Sequence, residues 1–288
     1  MAKYKKISQI LWLVLFFNAL IAGLKIIIAL KIKSNSLLAD SYHALGDSFT
    51  NIIGLVGIKL AGRPADKSHP YGYQKFETIA SFIIGIILLL LSIQMIKVTV
   101  SKFSDPVLPV FDFWSMLFLG LGFFGNIIIS ITEYQKGKKY KSEILIADAT
   151  HTATDILISF GVILTLILIK AGASPLIDPI VSLVIVALII LSCLSIFKDA
   201  LHILLDKTMI APEIISEIIY ASEKDIIDVH KIRSRGRKDY IFVDLHLILN
   251  PEMTIKEAHD LSHRLENILN QKLKKSVELN AHIEPNEK

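Results

Sequence analysis

The chain has 288 residues, of which 52% are hydrophobic, with a mean hydropathy of +0.54 and a formal net charge of +4. This composition agrees with a membrane protein. The single cysteine, Cys193, excludes a disulfide or a thiolate metal centre within one chain, so we expect a packing or lipid-facing residue. The positive charge comes from lysines that flank apolar segments and needs no nucleic-acid partner.

Six apolar segments have about the 20 residues that cross a bilayer. They cover residues 9–31, 36–61, 77–101, 111–133, 143–169 and 176–197. The first is longer than a signal-peptide core and lacks a small-residue cleavage site, so we interpret it as a span. The sequence becomes polar from about residue 205. We predict a six-helix transmembrane bundle over residues 1–204 and a cytoplasmic α/β domain over residues 205–288.

Lysine and arginine are more frequent in the flanks on one side of this predicted bundle. The basic residues on the richer side are Lys3, Lys5, Lys6, Arg63, Lys67, Lys136, Lys138, Lys139 and Lys141. Those on the other side are Lys31, Lys33, Lys102 and Lys170. Because positively charged flanks stay in the cytoplasm, we expect a multi-pass membrane protein with both termini cytoplasmic.

Two of the apolar segments each carry a histidine followed four residues later by an aspartate. The pairs are His43 with Asp47 in the second segment and His151 with Asp155 in the fifth. At 3.6 residues per turn, both members of a pair project from one helix face, so facing helices can bring two imidazoles and two carboxylates together. Ionisable groups in the hydrocarbon layer are costly and normally mark an ion pathway. The repeated pair therefore favours a divalent-metal site over a polar contact between helices.

The polar C-terminal part has the patterns of a small α/β domain. PEIISEIIYASEK and TIKEAHDLSHRLENILNQKL have helical spacing, whereas IIDVHKIRSR, DYIFVDLHLIL and SVELNAHIEP alternate as strands. The predicted order of elements is αββαβ. Alternation places Asp244 with His246 on one strand face and His282 with Glu284 on another. Neighbouring strand faces can therefore bring metal ligands together.

Four further stretches of the sequence are informative, namely SNSLLADSYHALGDSFTN, RPADKSHPYGYQKFE, ADATHTATD and LIDPIVSL. Together, in this order and spacing, they resemble the cation diffusion facilitator family of divalent-metal transporters. The resemblance implies a homodimer of six-helix protomers with metallochaperone-like cytoplasmic domains, which exports Zn²⁺ or a similar ion in exchange for protons. It also places His43, Asp47, His151 and Asp155 in the transport site.

The resemblance further implies a metal cluster in the cytoplasmic domain, at or near the dimer contact. Its residues are His230, His246, His259, His282 and Glu284. Glutamate stands at the last position where the family has aspartate, and a carboxylate one methylene longer still coordinates metal. We infer a regulatory role, in which bound metal neutralises carboxylate repulsion and draws the two domains together. The alternative is a set of solvated surface histidines.

The loop after the second segment carries a third candidate site, formed by Asp66 and His69. Relatives with a metal site here have a second histidine four residues after the first, where this chain has Tyr73. A neutral phenol is a poor Zn²⁺ ligand, so we expect this site to be weakened or lost. The alternative is a structured loop without metal.

The proposed transport ligands indicate both the ion and the exchange. Two carboxylates and two neutral imidazoles form a tetrahedral shell that balances a divalent cation and suits Zn²⁺, with Mn²⁺, Fe²⁺, Co²⁺ or Cd²⁺ as the alternative main substrate. An empty site would leave two buried anions close together, so protons should replace the metal. Asp40 and Asn51 lie on the same helix as the first pair and are either hydrogen-bond partners of the ligands or ordinary helix contacts.

Two other classes of function compete with proton-coupled export. A membrane metal sensor or scaffold would bind ions without moving them. A metalloenzyme is disfavoured because no nucleophile, acid or oxyanion group accompanies the His/Asp pairs. The glycines of GLGFFG lie inside an apolar segment, which also disfavours an ATP-driven pump.

We therefore expect a transporter and not an enzyme, with no required cofactor and with Zn²⁺ as substrate and regulatory ligand. Its partners are a second copy of the chain, the lipid bilayer, divalent metal ions and protons, without nucleic acid. The EYQKGKKYKSE loop is short and lacks the histidine-rich insert of many eukaryotic members of the family. The absence of this insert from the loop indicates a prokaryotic plasma-membrane protein.

Overall fold

The chain divides into two compact units in the computed structural model, residues 1–200 and residues 201–288. The structure describes residues 2–32, 48, 50–104, 113–172, 174, 176–223 and 225–286. His43 and Asp47 lie outside the described residues, as does Asp40. Of the four predicted transport ligands, the structure therefore describes His151 and Asp155, on the fifth predicted segment.

The N-terminal unit is helical. Its described helices are α1 (Ala2–Ile32), α2 (Thr50–Ala61), α3 (Lys75–Ser104), α4 (Phe113–Tyr140), α5 (Glu143–Lys170) and α6 (Ile177–Leu204). Each overlaps one predicted apolar segment, which confirms the helical bundle. Several helices continue past the apolar residues. A helix satisfies its backbone hydrogen bonds within its own segment, so it can extend from lipid into water.

Three stretches within the described helices are long and apolar enough to cross a bilayer. They are Lys3–Leu24, Lys75–Lys97 and Pro179–Leu204, with 22, 23 and 26 residues. Each exceeds the length of about 20 residues that spans the hydrocarbon core. The other three spans stay predictions from the sequence.

Two buried apolar clusters hold these helices together, and α5 contributes to both. One cluster contains Ile7, Leu11, Ile58, Ala80, Ile144 and Leu145. The other contains Ile84, Leu88, Ala147, Ile185, Ile189 and Cys193. Cys193 is thus a packing residue. Helix α5 is fixed between α1, α2 and α3 near its start and between α3 and α6 farther along.

Close packing of α2 requires glycine at position 57. A Cβ at Gly57 would clash with the Cβ of Ala80 in α3 and would lie 3.0 Å from Ile144 Cδ1 in α5. Glycine and alanine, which have little or no side chain, allow the helix backbones to approach closely here. The helix that follows Asp47 in the chain therefore packs directly on α3 and on α5.

The C-terminal unit has the predicted order αββαβ. Its elements are α7 (Pro212–Ser222), β1 (Ile226–Gly236), β2 (Tyr240–Leu249), α8 (Ile255–Leu273) and β3 (Ser276–Pro285). The sheet order is β1-β2-β3, with β1 antiparallel and β3 parallel to the central strand. Helix α8 is the crossover that a parallel pair of strands needs.

Both helices of this unit cover the same face of the sheet. Alternate residues of β2 are buried, and they form one core with Ile215 of α7 and Leu265 of α8. Helix α8 begins with a capping box, in which Thr254 and Glu257 satisfy each other's backbone N–H groups. The half-exposed residues of β2, including His246, lie on the opposite face.

Candidate metal-binding sites

Helix α5 places His151 and Asp155 one turn apart on the same face. His151 Nδ1 lies 3.8 Å from an Asp155 carboxylate oxygen, and the two side chains are 4% and 16% exposed. Water is largely excluded from these groups, so they interact strongly with a cation between them. The structure brings together this half of the predicted transport site, whereas His43 and Asp47 lie outside the described residues.

A buried carboxylate from α3 fixes the start of α5. Glu77 Oε1 accepts a hydrogen bond from Ser142 Oγ at 2.6 Å and another from the Glu143 backbone N–H at 3.0 Å. Thr78 Oγ1 donates to Glu143 Oε2 at 2.6 Å. Carboxylates here satisfy the unbonded N–H groups of a helix start and face the positive end of its dipole. Helix α3 therefore positions the helix that carries the His/Asp pair.

A second pair of carboxyl groups, which the sequence analysis missed, lies between α4 and α5. Glu133 of α4 is fully buried and lies within hydrogen-bonding distance of Asp148 of α5. Thr152 Oγ1 donates to Glu133 Oε2 at 3.4 Å. Within the described part of the chain, Glu133 Oε1 has no hydrogen-bond donor. Two carboxyl groups this close can hold one proton between them.

Asp148 also faces polar groups of α2. Thr50 Oγ1 donates to Asp148 Oδ1 at 3.5 Å, and the Asn51 amide nitrogen, in its donating orientation, lies 3.3 and 3.0 Å from the two carboxyl oxygens. Asn51 thus contacts Asp148. The sequence contained a signal for Asp148, because it precedes His151 by three residues and shares its side of the helix. No spacing in the sequence connects it with Glu133.

The hydrogen bonds of the loop occupy the Asp66 carboxylate. Its Oδ1 accepts from the Ser68 hydroxyl at 2.7 Å and from the backbone N–H groups of Ser68 and His69 at 2.9 and 2.8 Å. The Tyr73 hydroxyl donates to Oδ2 at 2.7 Å. These bonds, the Ser68 hydroxyl first, hold the pKa of Asp66 well below its usual range. A metal ion would have to displace them.

The other loop candidate, His69, is stacked on Tyr73 with ring centroids 4.1 Å apart. Its Nδ1 lies 2.9 Å from Ser68 Oγ and 3.8 Å from Asp66 Oδ1. Among the described residues, no third histidine or carboxylate joins Asp66 and His69 as a set of metal ligands. The geometry favours a structured loop.

Three candidate ligands converge on the open face of the C-terminal sheet. The strand register pairs His230 with His246 and His246 with His282, and Glu284 lies two residues farther along β3. One ligand atom each from His230, His246 and Glu284 lies within 4.8 Å of the others. His246 Nδ1 is 2.7 Å from Glu284 Oε1, and His230 Nε2 is 3.3 Å from Oε2. Two imidazoles and a carboxylate are ligands typical of Zn²⁺.

His230 is oriented by a carboxylate that the sequence analysis missed. Its Nδ1 lies 3.0 Å from Asp228 Oδ2, and the Tyr220 hydroxyl donates to Asp228 Oδ1 at 3.0 Å. The Tyr220 hydrogen bond, followed by that of His230, lowers the pKa of Asp228. Hydrogen bonding from His246 likewise lowers the pKa of Glu284. A carboxylate on Nδ1 leaves Nε2 of His230 for a metal ion, and strand alternation could have identified Asp228.

His282 and His259 differ in their relation to this group. His282 is 67% exposed at its edge, with Nε2 3.8 Å from Glu284 Oε1. His259 is exposed on α8, where its ring lies 4.5 Å from that of His263. Helix α8 covers the opposite face of the sheet. Within one chain, His259 therefore does not lie with these ligands, because the helix and the ligand-bearing strand face lie on opposite sides of the sheet. Its place in a cluster at the dimer contact stays a prediction.

Three relatives align with most of the chain. A transporter of Methanocaldococcus jannaschii described as uncharacterized is 31% identical over 272 residues, which cover 92% of this chain and 94% of that protein. The manganese efflux system protein MneP of Bacillus subtilis is 28% identical over 282 residues, covering 94% and 93%. The cadmium, cobalt and zinc/H(+)-K(+) antiporter of Bacillus subtilis is 29% identical over 247 residues, covering 83% and 78%.

Two family models divide the chain between them. Residues 11–205 match the cation efflux transmembrane domain, and residues 211–286 match the cytoplasmic domain of cation efflux proteins, a dimer domain that implies a homodimer. The apolar helices and the αββαβ unit agree with these matches. The chain therefore belongs to the cation diffusion facilitator family and is an integral membrane transporter that carries out efflux of divalent metal cations.

Proposed function

We propose that this protein exports Zn²⁺ in exchange for protons, with His43, Asp47, His151 and Asp155 as the transport site. The observation that carries the proposal is the buried pair on α5, whose ligand atoms are 3.8 Å apart in a helix fixed at its start by α3. The proposal includes six spans and cytoplasmic termini, which place the metal path across the bilayer centre.

Ligand chemistry supports Zn²⁺ over the other divalent ions. One relative is described as a manganese efflux protein and another as a cadmium, cobalt and zinc antiporter, at the similar identities of 28% and 29%. Overall similarity therefore does not select the ion. Two imidazoles in the shell favour Zn²⁺, whereas Mn²⁺ prefers carboxylate, carbonyl and water oxygens.

Proton exchange follows from the cost of leaving buried carboxylates without a cation. When Zn²⁺ departs, Asp47 and Asp155 would repel each other unless protons or the imidazoles compensate their charge. The Glu133 and Asp148 pair supplies a second place for a proton, one helical turn from His151. The proposed transport cycle exchanges one cation for protons held at these buried groups.

The open sheet face is proposed as a second, regulatory Zn²⁺ site. His230, His246 and Glu284 would bind the ion and His282 would add a ligand from the edge. Asp228 would keep His230 in the orientation that binding requires. Binding neutralises the carboxylate and favours the compact arrangement of the dimer domains. The protein needs no resident cofactor, enzymatic activity or nucleic-acid partner in this account.

Zn²⁺ flux into proteoliposomes under an imposed pH gradient tests the transport proposal. Asp155→Asn keeps the shape of the side chain and removes its charge, so we expect flux to fall to that of protein-free vesicles. The matched control is Asp260→Asn, at an exposed position on α8, which should transport like the wild type.

Near-normal flux through Asp155→Asn would contradict the transport-site assignment. Wild-type protein that binds Zn²⁺ tightly yet moves none would instead identify a membrane metal sensor or scaffold. Size-exclusion chromatography checks that the variants are folded. If all of them elute like the wild type, a loss of flux does not come from a loss of fold.

A further inference from the structure

A groove of about 680 Å³ runs between α1 and α2. Its lining includes Ile58, which belongs to the buried apolar core and is only 1% exposed. Trp12 of α1 and Val56 of α2 also line it and are 60% and 53% exposed. The groove is therefore open to the surroundings of the helix bundle, which in a transmembrane domain are lipid.

The two helices are antiparallel along this groove. A Cβ at Gly62, just after α2, would lie 3.3 Å from Tyr4 Cβ near the start of α1, whereas one at Gly54 would lie 3.4 Å from Leu11 Cδ1. Lys5, Ser8 and Trp12 follow one another at helical spacing on α1. On the opposite wall of the groove, formed by α2 and the residues after it, Arg63 and Lys59 lie at the end near Lys5, and Val56 lies farther along. Both walls therefore have basic residues at one end and apolar residues at the other.

The basic end consists of Lys5, Lys59 and Arg63, all of them exposed. None of the described residues that line the groove is acidic. Ser8 adds a hydroxyl group beside these cations. A phosphate ester satisfies such a group with charge-assisted hydrogen bonds, as arginine and lysine commonly do. From Lys5 to Leu15 the helix rises about 15 Å, roughly one leaflet of the hydrocarbon core.

We propose that this groove binds one anionic phospholipid. The phosphate lies between Lys5, Lys59 and Arg63, and an acyl chain lies along Trp12 and Val56. A zwitterionic lipid carries its own ammonium group toward the same three cations and binds less well. The bound lipid joins α1 to α2, the helix that follows His43 and Asp47 in the chain. This site is independent of which metal the protein carries.

Fluorescence quenching by brominated lipids reports occupancy of the groove. The chain has two tryptophans, so Trp114→Phe leaves Trp12 as the sole indole. The full-length variant is reconstituted in phosphatidylcholine vesicles with increasing fractions of acyl-brominated phosphatidylglycerol or, separately, acyl-brominated phosphatidylcholine. We expect half-maximal quenching at a lower fraction of the anionic lipid, by about fivefold for each cation that contacts the phosphate.

Charge variants in the Trp114→Phe background locate the preference. Changing Lys5, Lys59 and Arg63 together to glutamine should make the two lipids quench equally. The matched control changes Lys136, Lys138 and Lys139 of α4 to glutamine; it removes the same charge outside the groove and should retain the preference.

Equal quenching of Trp12 by both lipids before these changes overturns the proposal, because the groove then accepts any acyl chain. Loss of preference in the α4 control as large as in the groove variant also overturns it, because general surface charge then attracts the lipid. If neither lipid quenches Trp12 and a cysteine introduced by Val56→Cys cross-links two chains, a second copy covers the groove instead.

Discussion

Asp148 connects three helices at the scale of single residues. Its carboxyl group accepts from Thr50, lies beside Asn51 of α2, and faces Glu133 of α4. It also lies one turn from His151, so its charge affects the field at the proposed transport site. We expect a metal ion there to favour ionised Asp148 and a departing ion to favour a proton on the carboxyl pair. The proposed exchange links proton and metal occupancy in this way.

Replacement of Glu133 by glutamine tests this link. Glu133→Gln is neutral at every pH and keeps nearly the same shape, so the pair loses its shared proton. We expect Zn²⁺ flux to persist with a flatter dependence on pH and about one proton fewer per Zn²⁺. The measurement is Zn²⁺ flux and internal pH of the same vesicles, with Glu217→Gln, at an exposed position on α7, as the control. An unchanged proton count would mean that the pair only holds α4 to α5.

The sheet site allows a similarly direct comparison between two histidines. His246→Ala removes a ligand whose Nδ1 lies 2.7 Å from Glu284, so Zn²⁺ affinity at this site should fall by more than about tenfold. His259→Ala, on the other side of the sheet of the same chain, is the matched control, and a site formed within one chain predicts that it changes nothing. Titration calorimetry of the full-length protein measures both. Equal losses in the two variants would place His259 in the site through a second chain.

Acidification should release Zn²⁺ from the same sheet site. A proton and a metal ion compete for the same imidazole nitrogen, because histidine must be neutral to bind metal. We therefore expect the affinity measured in the same titrations to fall as the pH is lowered. Affinity that stays constant down to pH about 5 would exclude His230 and His246 as ligands.

At the scale of secondary-structure elements, the start of α5 is held by Glu77 of α3 rather than by local residues alone. Glu77 is fully buried and bonds both to the Ser142 hydroxyl and to the Glu143 backbone N–H. Its removal leaves the buried Ser142 hydroxyl and the partly buried Glu143 N–H without this acceptor. The position of α5, and of its His151 and Asp155, therefore depends on α3.

We expect Glu77→Ala to destabilise the folded protein by about 1–3 kcal/mol and to weaken Zn²⁺ transport through displacement of α5. Thermal unfolding of the detergent-solubilised protein measures the stability. Gln135→Ala, at an exposed position on α4, serves as the control within the same unit. A Glu77→Ala variant as stable as this control would show that the cap does not hold α5.

The elements themselves were predictable because their signals are local. Apolar length identified the helices, and alternation identified β2 and β3, including the shared face of His282 and Glu284. The contact between Glu133 and Asp148 was not predictable, because it depends on which sides of α4 and α5 meet. The place of His259 in the cluster rests on resemblance alone, because its side of α8 faces away from the sheet of its own chain.

At the scale of the whole molecule, a transmembrane unit and a dimerising cytoplasmic unit carry chemically different candidate sites. The transmembrane ligands are buried on α5, where a cation must shed its water, whereas the sheet ligands are half-exposed and open to solvent. A buried site suits transport coupled to protons, and an open site suits sensing of metal concentration. Family membership establishes metal efflux. Exchange of the metal for protons is the proposal that goes beyond it.

Simultaneous measurement of Zn²⁺ and proton movement tests that claim most directly. Wild-type protein is reconstituted in vesicles without an initial pH gradient, and Zn²⁺ is added outside while a Zn²⁺ indicator and a pH indicator are followed inside. The account predicts that Zn²⁺ entry drives protons out, so that internal pH rises with Zn²⁺ uptake and both signals vanish in Asp155→Asn. Zn²⁺ uptake without any change of internal pH, with the membrane potential clamped, would contradict it.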